Sequence, residues 1–357
     1  MSSQEKPTMK TIAEKLGISI GTVDRALKNR GRINENTRRQ VLEMADKLGY
    51  RPNVLASTLS RSQKAHVVAL YPAKNEAFFN EISTGMSAAL RELAGYGVTL
   101  ERMHTVRHSL MSQRQILSQL AERMDRWDAL ILAAAHPTAL NETINAFVDA
   151  GKTVITINSD AVGSKRLLFV GQDQFSSGRV AANIMGEFLH GRGKVALFTG
   201  FREVWGHEER LNGFIRVTHE RYPDMLLVGP YEYQDEEFTM RNLLGEVFNA
   251  HPDLAGIYGT TSVALLAAAS FLCERGLQGR VRLVGFDTDD EIAQYIREGV
   301  IDASILQDPF SQGYYSLKLL ARHLMHGWEP QQPNYFTRME ILLRENAHGN
   351  ERPNFFF

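Results

Sequence analysis

The chain of 357 residues has one cysteine, Cys273, so it can build neither an intramolecular disulfide nor a cysteine-based zinc site. Its longest apolar runs, such as 129–135 and 263–269, fall well short of the roughly 20 residues that a membrane-spanning helix needs. The opening residues Met1-Ser-Ser-Gln-Glu-Lys-Pro-Thr-Met-Lys10 lack the apolar segment of a secretory leader. Catalytic motifs are missing too: there is no GxxxxGK[ST] run, no HExxH and no GxSxG elbow. His104, His108 and His136 have no zinc-like spacing with acids or with Cys273. These absences point to a cytoplasmic binding protein that is not an enzyme, has no membrane partner, and needs no metal and no cofactor.

What is present is ordinary for a globular chain, with 43% apolar and 23% charged residues and a net charge of −1. The length exceeds one ordinary core, so two or three compact units are expected. Charge is unevenly spread. Residues 1–65 carry 13 basic and 6 acidic side chains, a net of +7, against 27 and 35 over the rest, a net of −8. A basic head on an acidic body suggests that only the head meets a polyanion.

The first 50 residues show helical periodicity. Thr8 can cap a helix to about Leu16, with Ile12, Ala13 and Leu16 on its inner face. Ser19 can cap a second, with Val23, Ala26 and Leu27 inward. Asn34 can cap a third, whose buried stripe is Val41, Leu42, Ala45 and Leu48. Helix two then presents Ile20, Gly21, Thr22 and Arg25 outward. In a helix-turn-helix such residues meet base edges in the major groove, and Arg25 suits a bidentate contact with guanine. Ser19, Thr22 and Asn34 suit phosphates, while Lys10, Lys28, Arg30 and Arg32 add sequence-independent attraction. After Pro52, residues 53–60 have helical spacing over only about two turns, which is marginal alone.

From residue 66 short apolar runs alternate with helical stretches, which predicts parallel sheets with right-handed crossovers. Strands are expected at 67–71, 98–103, 129–134, 153–157 and 168–170, then at 195–198, 225–228, 256–258 and 282–284. Residues 66–72 and 194–200 open the two series in a similar way, suggesting two similar α/β lobes. Ligands of such sheets bind beyond the carboxyl ends of the strands, so the cleft between lobes is the natural site.

The head resembles the lactose/galactose repressor family. Residues 8–27, Thr-Met-Lys-Thr-Ile-Ala-Glu-Lys-Leu-Gly-Ile-Ser-Ile-Gly-Thr-Val-Asp-Arg-Ala-Leu, carry the likeness, as do Thr37-Arg-Arg-Gln-Val41 and Leu48-Gly-Tyr-Arg-Pro-Asn53. The resemblance implies base reading by Ile20, Gly21 and Arg25, and a hinge helix with Tyr50, Asn53, Ala56 and Leu59 in register. In that reading Leu59 wedges into the minor groove and bends the duplex. Two departures stand out: Asp24 where many members have serine, and Ser57 where arginine is frequent.

The body resembles ribose-type periplasmic binding proteins. Four segments carry this likeness: Asn75-Glu-Ala-Phe-Phe79, Val154-Ile-Thr-Ile-Asn-Ser-Asp160, Val284-Gly-Phe-Asp287 and Ala303-Ser-Ile-Leu-Gln-Asp-Pro309. The resemblance implies a sugar site with Asn75 near Phe78 and Phe79, and Trp205 as a further ring. Asn158, Ser159, Asp160, Asp287 and Gln307 would supply polar groups, with His207, Glu208 and Thr261 as additional wall residues. Phe79 fits the core as well as it fits a ligand. Arg210, with Gly213 and Phe214, reads as a structural element. Glu208 stands where the ribose relatives have arginine, and Asn158-Ser159 where they have an Asp-Arg pair. These changes disfavour ribose itself and remove the cation an acidic ligand would need, favouring a neutral or cationic polyol or sugar derivative.

The expected layout is a helix-turn-helix domain at 8–51, a hinge and linker at 52–65, a two-lobed effector-binding and dimerisation domain at 66–346, and a tail at 347–357. Lobe 1 is expected over 66–172 and 288–306, and lobe 2 over 173–287 and 307–346. The implied protein is a homodimeric repressor of carbohydrate-use genes. It would bind a roughly palindromic double-stranded DNA operator under allosteric control by a small sugar or polyol.

Overall fold

The computed structural model describes residues 9–28, 33–48, 64–72, 77–106 and 109–347. The side chains of Lys10, Asp24, Lys28 and Ala77 fall outside that description. The chain divides into two compact units, Met1–Ser62 and Gln63–Phe357.

The first unit contains α1 (Met9–Leu16), α2 (Ile20–Lys28) and α3 (Glu35–Lys47). Its small core is Ile12, Ala13, Val23, Ala26, Val41 and Ala45, with Leu16, Leu27 and Leu48 packed around it. The Ser19 hydroxyl accepts from the Thr22 N–H at 3.1 Å, and Asn34 caps α3 through the Asn36 N–H at 2.8 Å. One core assignment needs correction. Leu42 is 43% exposed, because it stands about 100° around the helix from Val41, off the stripe that Val41, Ala45 and Leu48 share. The hinge segment 53–60 lies outside the described residues.

The second unit holds two six-stranded sheets. The strands of sheet one are β1 (Ala65–Pro72), β2 (Val98–Thr105), β3 (Ala129–Leu132), β4 (Thr153–Ile157) and β5 (Leu168–Gly171). Between them run α4 (Ala77–Glu92), α5 (Leu110–Ala121) and α6 (Asn141–Asp149). After α7 (Gln174–Phe188), sheet two takes β6 (Arg192–Thr199), β7 (Asp224–Glu232), β8 (Leu254–Gly259), β9 (Arg282–Phe286) and β10 (Ala303–Leu306). Its helices are α8 (Trp205–Arg221), α9 (Glu237–Ala250), α10 (Ser262–Glu274) and α11 (Asp290–Glu298). Then α12 (Pro309–His326), β11 (Asn334–Phe336) and β12 (Glu340–Leu342) close the fold.

The strand orders are β2-β1-β3-β4-β5-β11 and β7-β6-β8-β9-β10-β12. Apart from the last strand, the two sheets therefore have the same doubly wound topology. Their first strands, β1 and β6, are flanked on both sides by parallel neighbours, which explains the matching apolar runs.

The lobe boundaries differ from expectation. Residues 288–306 belong to lobe 2, because β10 pairs in parallel with β9 of that sheet. Residues 307–336 belong largely to lobe 1, where β11 pairs with β5 and α12 packs on α4. The chain crosses between lobes after Gly171, after Leu306 and again after Phe336. At the second crossing Asp308 takes a left-handed conformation (φ 52°), and Pro309 opens α12 at a position where a missing N–H costs nothing.

Each lobe joins two helices through glycines at close approach. A Cβ on Gly85 of α4 would collide with the Phe310 carbonyl, and one on Gly313 of α12 with the Ile82 carbonyl. In lobe 2 a Cβ on Gly178 of α7 would meet the Arg210 carbonyl, and one on Gly213 of α8 the Phe175 carbonyl. Gly213 thus has the structural role expected of its segment.

Candidate functional site

Two surfaces carry the sequence-predicted residues, one in each unit. In the head, α2 buries Val23 and Ala26 and leaves Ile20, Gly21 and Arg25 exposed, with Thr22 half-buried. Ile20 is 47% exposed, a large apolar side chain with no core to cover it. Arg25 turns back so that Nε donates to the Gly21 carbonyl at 3.1 Å. Ser19 and Thr22 lie beside each other at the start of α2, their hydroxyls 2.9 Å apart. Lys10 and Lys28 sit in α1 and α2 without described side chains. Arg32, Tyr50, Asn53, Ala56 and Leu59 lie outside the described residues, as does Asn75 of the body.

In the second unit, a cavity of about 650 Å³ opens at the carboxyl ends of the strands. Eight expected residues line it: Phe78, Phe79, Asn158, Ser159, His207, Thr261, Asp287 and Gln307. Asn158 follows β4, Thr261 follows β8, Asp287 follows β9 and Gln307 follows β10, as ligand sites in such sheets require. Three wall residues are left-handed without being glycine: Asn158 (φ 60°), Asp235 (φ 51°) and Asp287 (φ 71°). Such conformations cost energy and cluster where a side chain must be aimed.

The polar wall is a continuous network. Arg210 Nε donates to Gln174 Oε1 at 2.8 Å, and Gln174 Nε2 donates to Gln307 Oε1 at 3.2 Å. Gln307 Nε2 donates to Asp287 Oδ1 at 2.7 Å, and Asn158 Nδ2 reaches Gln307 Oε1 at 3.4 Å. Arg210 Nη1 donates to the Thr260 carbonyl at 2.6 Å, and the guanidinium lies 4.0 Å from the Phe286 ring centroid. Burial pushes the Asp287 carboxyl above its usual range, against the pull of Arg210 and the Gln307 amide. Burial, aided by the Arg210 charge, takes His207 down to about 3, so this ring is neutral at pH 7. Its Nδ1 accepts from the Phe201 N–H at 3.1 Å.

Phe79 belongs to the core and to the cavity wall at once. It is 3% exposed within the lobe 1 core, stacks on Tyr71 with centroids 6.0 Å apart, and also lines the cavity.

Three expected residues are turned elsewhere. Asp160 is held by Arg166 at 2.5 and 2.6 Å, and accepts from Thr156 at 2.6 Å and the Ala161 N–H at 2.8 Å. The left-handed turn at Asn158 leaves Asn158 and Ser159 on the cavity while the following carboxylate enters the lobe. Trp205 packs edge-on against Phe169 with centroids 5.5 Å apart. Glu208 pairs with Arg202 at 3.1 Å, because α8 faces the cavity with His207 and Arg210 and position 208 is rotated away.

Sequence reasoning missed Gln174, Asp235 and above all Arg210. Its signal was readable: His207, Arg210, Leu211 and Phe214 share one helical face, so Arg210 is a charge on an otherwise apolar stripe. It also corrects the expectation that the cleft has no cation. Among the described residues no group of three or more His, Cys, Asp or Glu is placed to hold a metal. None of the helices described is long and apolar enough to cross a membrane.

Residues 67–327 match the periplasmic binding protein domain, and residues 8–53 match the bacterial regulatory proteins of the lacI family. The chain belongs to the periplasmic binding protein domain family, with a lacI-family head. It is a DNA-binding transcription regulator with a ribose-type sensor. The chain is 24% identical over 351 residues to the HTH-type transcriptional regulator RegA of Clostridium saccharobutylicum, covering 95% of this chain and 99% of that one. It is 22% identical over 283 residues to the ribose operon repressor of Bacillus subtilis, with 78% and 81% covered. A solute binding protein of an ABC transporter from Burkholderia graminis, solved with D-arabinose, has the same fold. It superposes with a TM-score of 0.74 at 24% identity, covering 81% of this chain and 98% of that one. The lacI-family match spans residues 8–53, which include α2.

Proposed function

We propose that this lacI-family regulator is a cytoplasmic homodimeric repressor of carbohydrate-use genes, released from or held on a roughly palindromic operator by a small polyhydroxylated ligand. The observation that carries this reading is the cavity of the sensor. Its walls combine phenylalanine rings with a planar amide–carboxylate network at the strand ends, the groups that suit C–H faces and paired hydroxyls. The reading is one of binding rather than catalysis. Arg25, Ile20 and the backbone at Gly21 read bases, with Ser19, Thr22 and Asn34 on phosphates. Tyr50, Asn53, Ala56 and Leu59 are assigned to the hinge and its minor-groove wedge, and Lys10, Lys28 and Arg32 to backbone attraction. Asn75 is assigned to the ligand site. Coupling is reciprocal, so operator must change ligand affinity by the same factor that ligand changes operator affinity.

The test is a mobility-shift selection on genomic fragments with the full-length protein, repeated across salt and with candidate sugars. Arg25→Ala is expected to weaken the selected operator by about 10- to 100-fold, the worth of one bidentate base contact. Leu59→Ala is expected to weaken operator binding while sparing ligand binding. Absence of any sequence-selective band would overturn the regulatory reading.

A further inference from the structure

Gln307 is engaged twice. Its side chain belongs to the cavity wall, and its backbone lies at the second crossing between the lobes. There the Gln307 carbonyl accepts from two side chains, Thr337 Oγ1 and Gln312 Nε2, each at 2.9 Å. The Leu306 carbonyl before it accepts from Gln172 Nε2 at 2.7 Å. The Thr337 N–H donates in turn to the Gly171 carbonyl at 2.8 Å.

These bonds close a ring. Gly171 and Gln172 stand at the first crossing, Leu306 and Gln307 at the second, and Thr337 opens the third. Each crossing is bonded to both of the others, and Thr337 makes two of the three links. The donors are buried: Gln172 and Gln312 are 0% exposed and Thr337 is 9% exposed. The amide oxygens of Gln172 and Gln312 have no hydrogen-bond partner in the protein. A buried acceptor without a partner is destabilising, and an alkyl side chain would fill the same space without that cost. What these two amides supply is the N–H that holds the second crossing.

An aromatic contact spans the lobes beside the ring. Trp205, the first residue of α8 in lobe 2, packs edge-on against Phe169 of β5 in lobe 1. Gly171 leaves room for the Phe169 ring, since a Cβ there would collide with it. The surroundings of Trp205 therefore depend on how the lobes stand at the first crossing.

We infer that the three crossings move as one clasp, and that Thr337 is the positioning residue that locks it. A free connecting strand takes up its own change of φ and ψ when lobes move. Crossings bonded pairwise must change together or break a buried hydrogen bond. The clasp fixes the Gln307 backbone, and with it the amide that meets Asn158 of lobe 1 and Asp287 of lobe 2. A ligand that draws on this amide acts on all three crossings. Thr337, Gln172 and Gln312 take part without lining the cavity. The inference takes the cavity as the ligand site from the proposed function and needs nothing of the head.

The experiment combines hydrogen-exchange mass spectrometry with fluorine NMR of the full-length protein labelled with 5-fluorotryptophan, without ligand or DNA. Trp127, Trp205 and Trp328 are the three tryptophans, and Trp205→Phe assigns the signal that matters. Thr337→Val removes the hydroxyl and keeps the backbone bond to Gly171. It is expected to speed exchange about three- to tenfold in segments 170–176 and 304–313 as well as in 334–340, the worth of one buried hydrogen bond. It should shift or split the Trp205 signal and leave those of Trp127 and Trp328 in place. Thr337→Ser retains a hydroxyl and should behave as the unaltered protein does. Gln172→Met cuts a different link and should speed exchange in 334–340. It provides the second variant should Thr337→Val be unstable. Faster exchange confined to the segment around the substituted residue, or a Trp205 signal that stays in place, overturns the clasp. So does a Thr337→Ser protein that behaves like Thr337→Val. Any of these results leaves the regulatory reading intact, since neither ligand nor operator is present.

Discussion

Gln307 Nε2 donates to Asp287 Oδ1 at 2.7 Å, joining the residue that follows β10 to the one that follows β9. The same Gln307 accepts from Asn158 of lobe 1 and Gln174 of α7, so one amide ties together walls from both lobes. Replacing it by leucine keeps the volume and removes the donor from a buried carboxylate. Gln307→Leu is expected to lower stability by about 1–3 kcal/mol, the cost of orphaning a buried polar group. It should also abolish the ligand-induced rise in Tm. Thermal melts with and without ligand would check both, and an unchanged ligand shift would exclude Gln307 from the site.

Arg210 is 3% exposed and stands against Asp287 in the same wall. Arg210→Met removes the counter-charge and leaves the Thr260 carbonyl without its donor. Leaving that buried carbonyl unpaired costs about 1–3 kcal/mol. The Asp287 carboxyl, already raised by burial, should rise further once the guanidinium is gone. Urea unfolding of the isolated sensor unit and of the full chain should show the loss in both.

His207 yields a pH dependence with a definite sign. Its folded value is about 3, below the ordinary 6.5 of a free imidazole, so the unfolded chain takes up a proton that the folded chain refuses. Its contribution is fully present above pH 6.5 and is lost progressively as pH falls from there towards 3, by up to about 5 kcal/mol at 1.36 kcal/mol per unit. His207→Asn should flatten that part of the stability curve. Equal slopes for the two proteins between pH 6.5 and 4 would contradict the burial of a neutral ring.

Helix contact in lobe 2 depends on Gly178. A Cβ there would meet the Arg210 backbone carbonyl, which cannot swing aside as a side chain can. Gly178→Ala is expected to cost about 1–3 kcal/mol or more through overpacking, and to weaken ligand by displacing Arg210. Gly245 of α9 is the matched control, since a Cβ there meets nothing within 4 Å. Gly245→Ala should be neutral or stabilising by roughly 0.5–1 kcal/mol from helix propensity alone. Chemical denaturation of the two variants in parallel decides the matter.

Much of this architecture is local chemistry and therefore legible along the chain. Capping residues Ser19 and Asn34, apolar runs such as 153–157, and the alternation of strands with helices each act within a few residues. The strands before Asn158 and Asp287 were expected from that alternation, while Asn158, Asp287 and Gln307 themselves came from the likeness to ribose-type binding proteins. Tertiary structure decided the rest, because those choices are made between distant segments. Strands β11 and β12 are three residues each, and their membership depends on the partners β5 and β10. For that reason the lobe assignment of 288–336 was reversed in the sequence reading. Asp160 and Arg166 chose each other within the lobe, and Arg210 was carried into the cavity wall by the face that α8 turns to the sheet. The helix-turn-helix and its exposed α2 face were set by sequence. Which polar groups meet in the sensor cavity, and with what net charge, was set only when both sheets and their three crossings had formed.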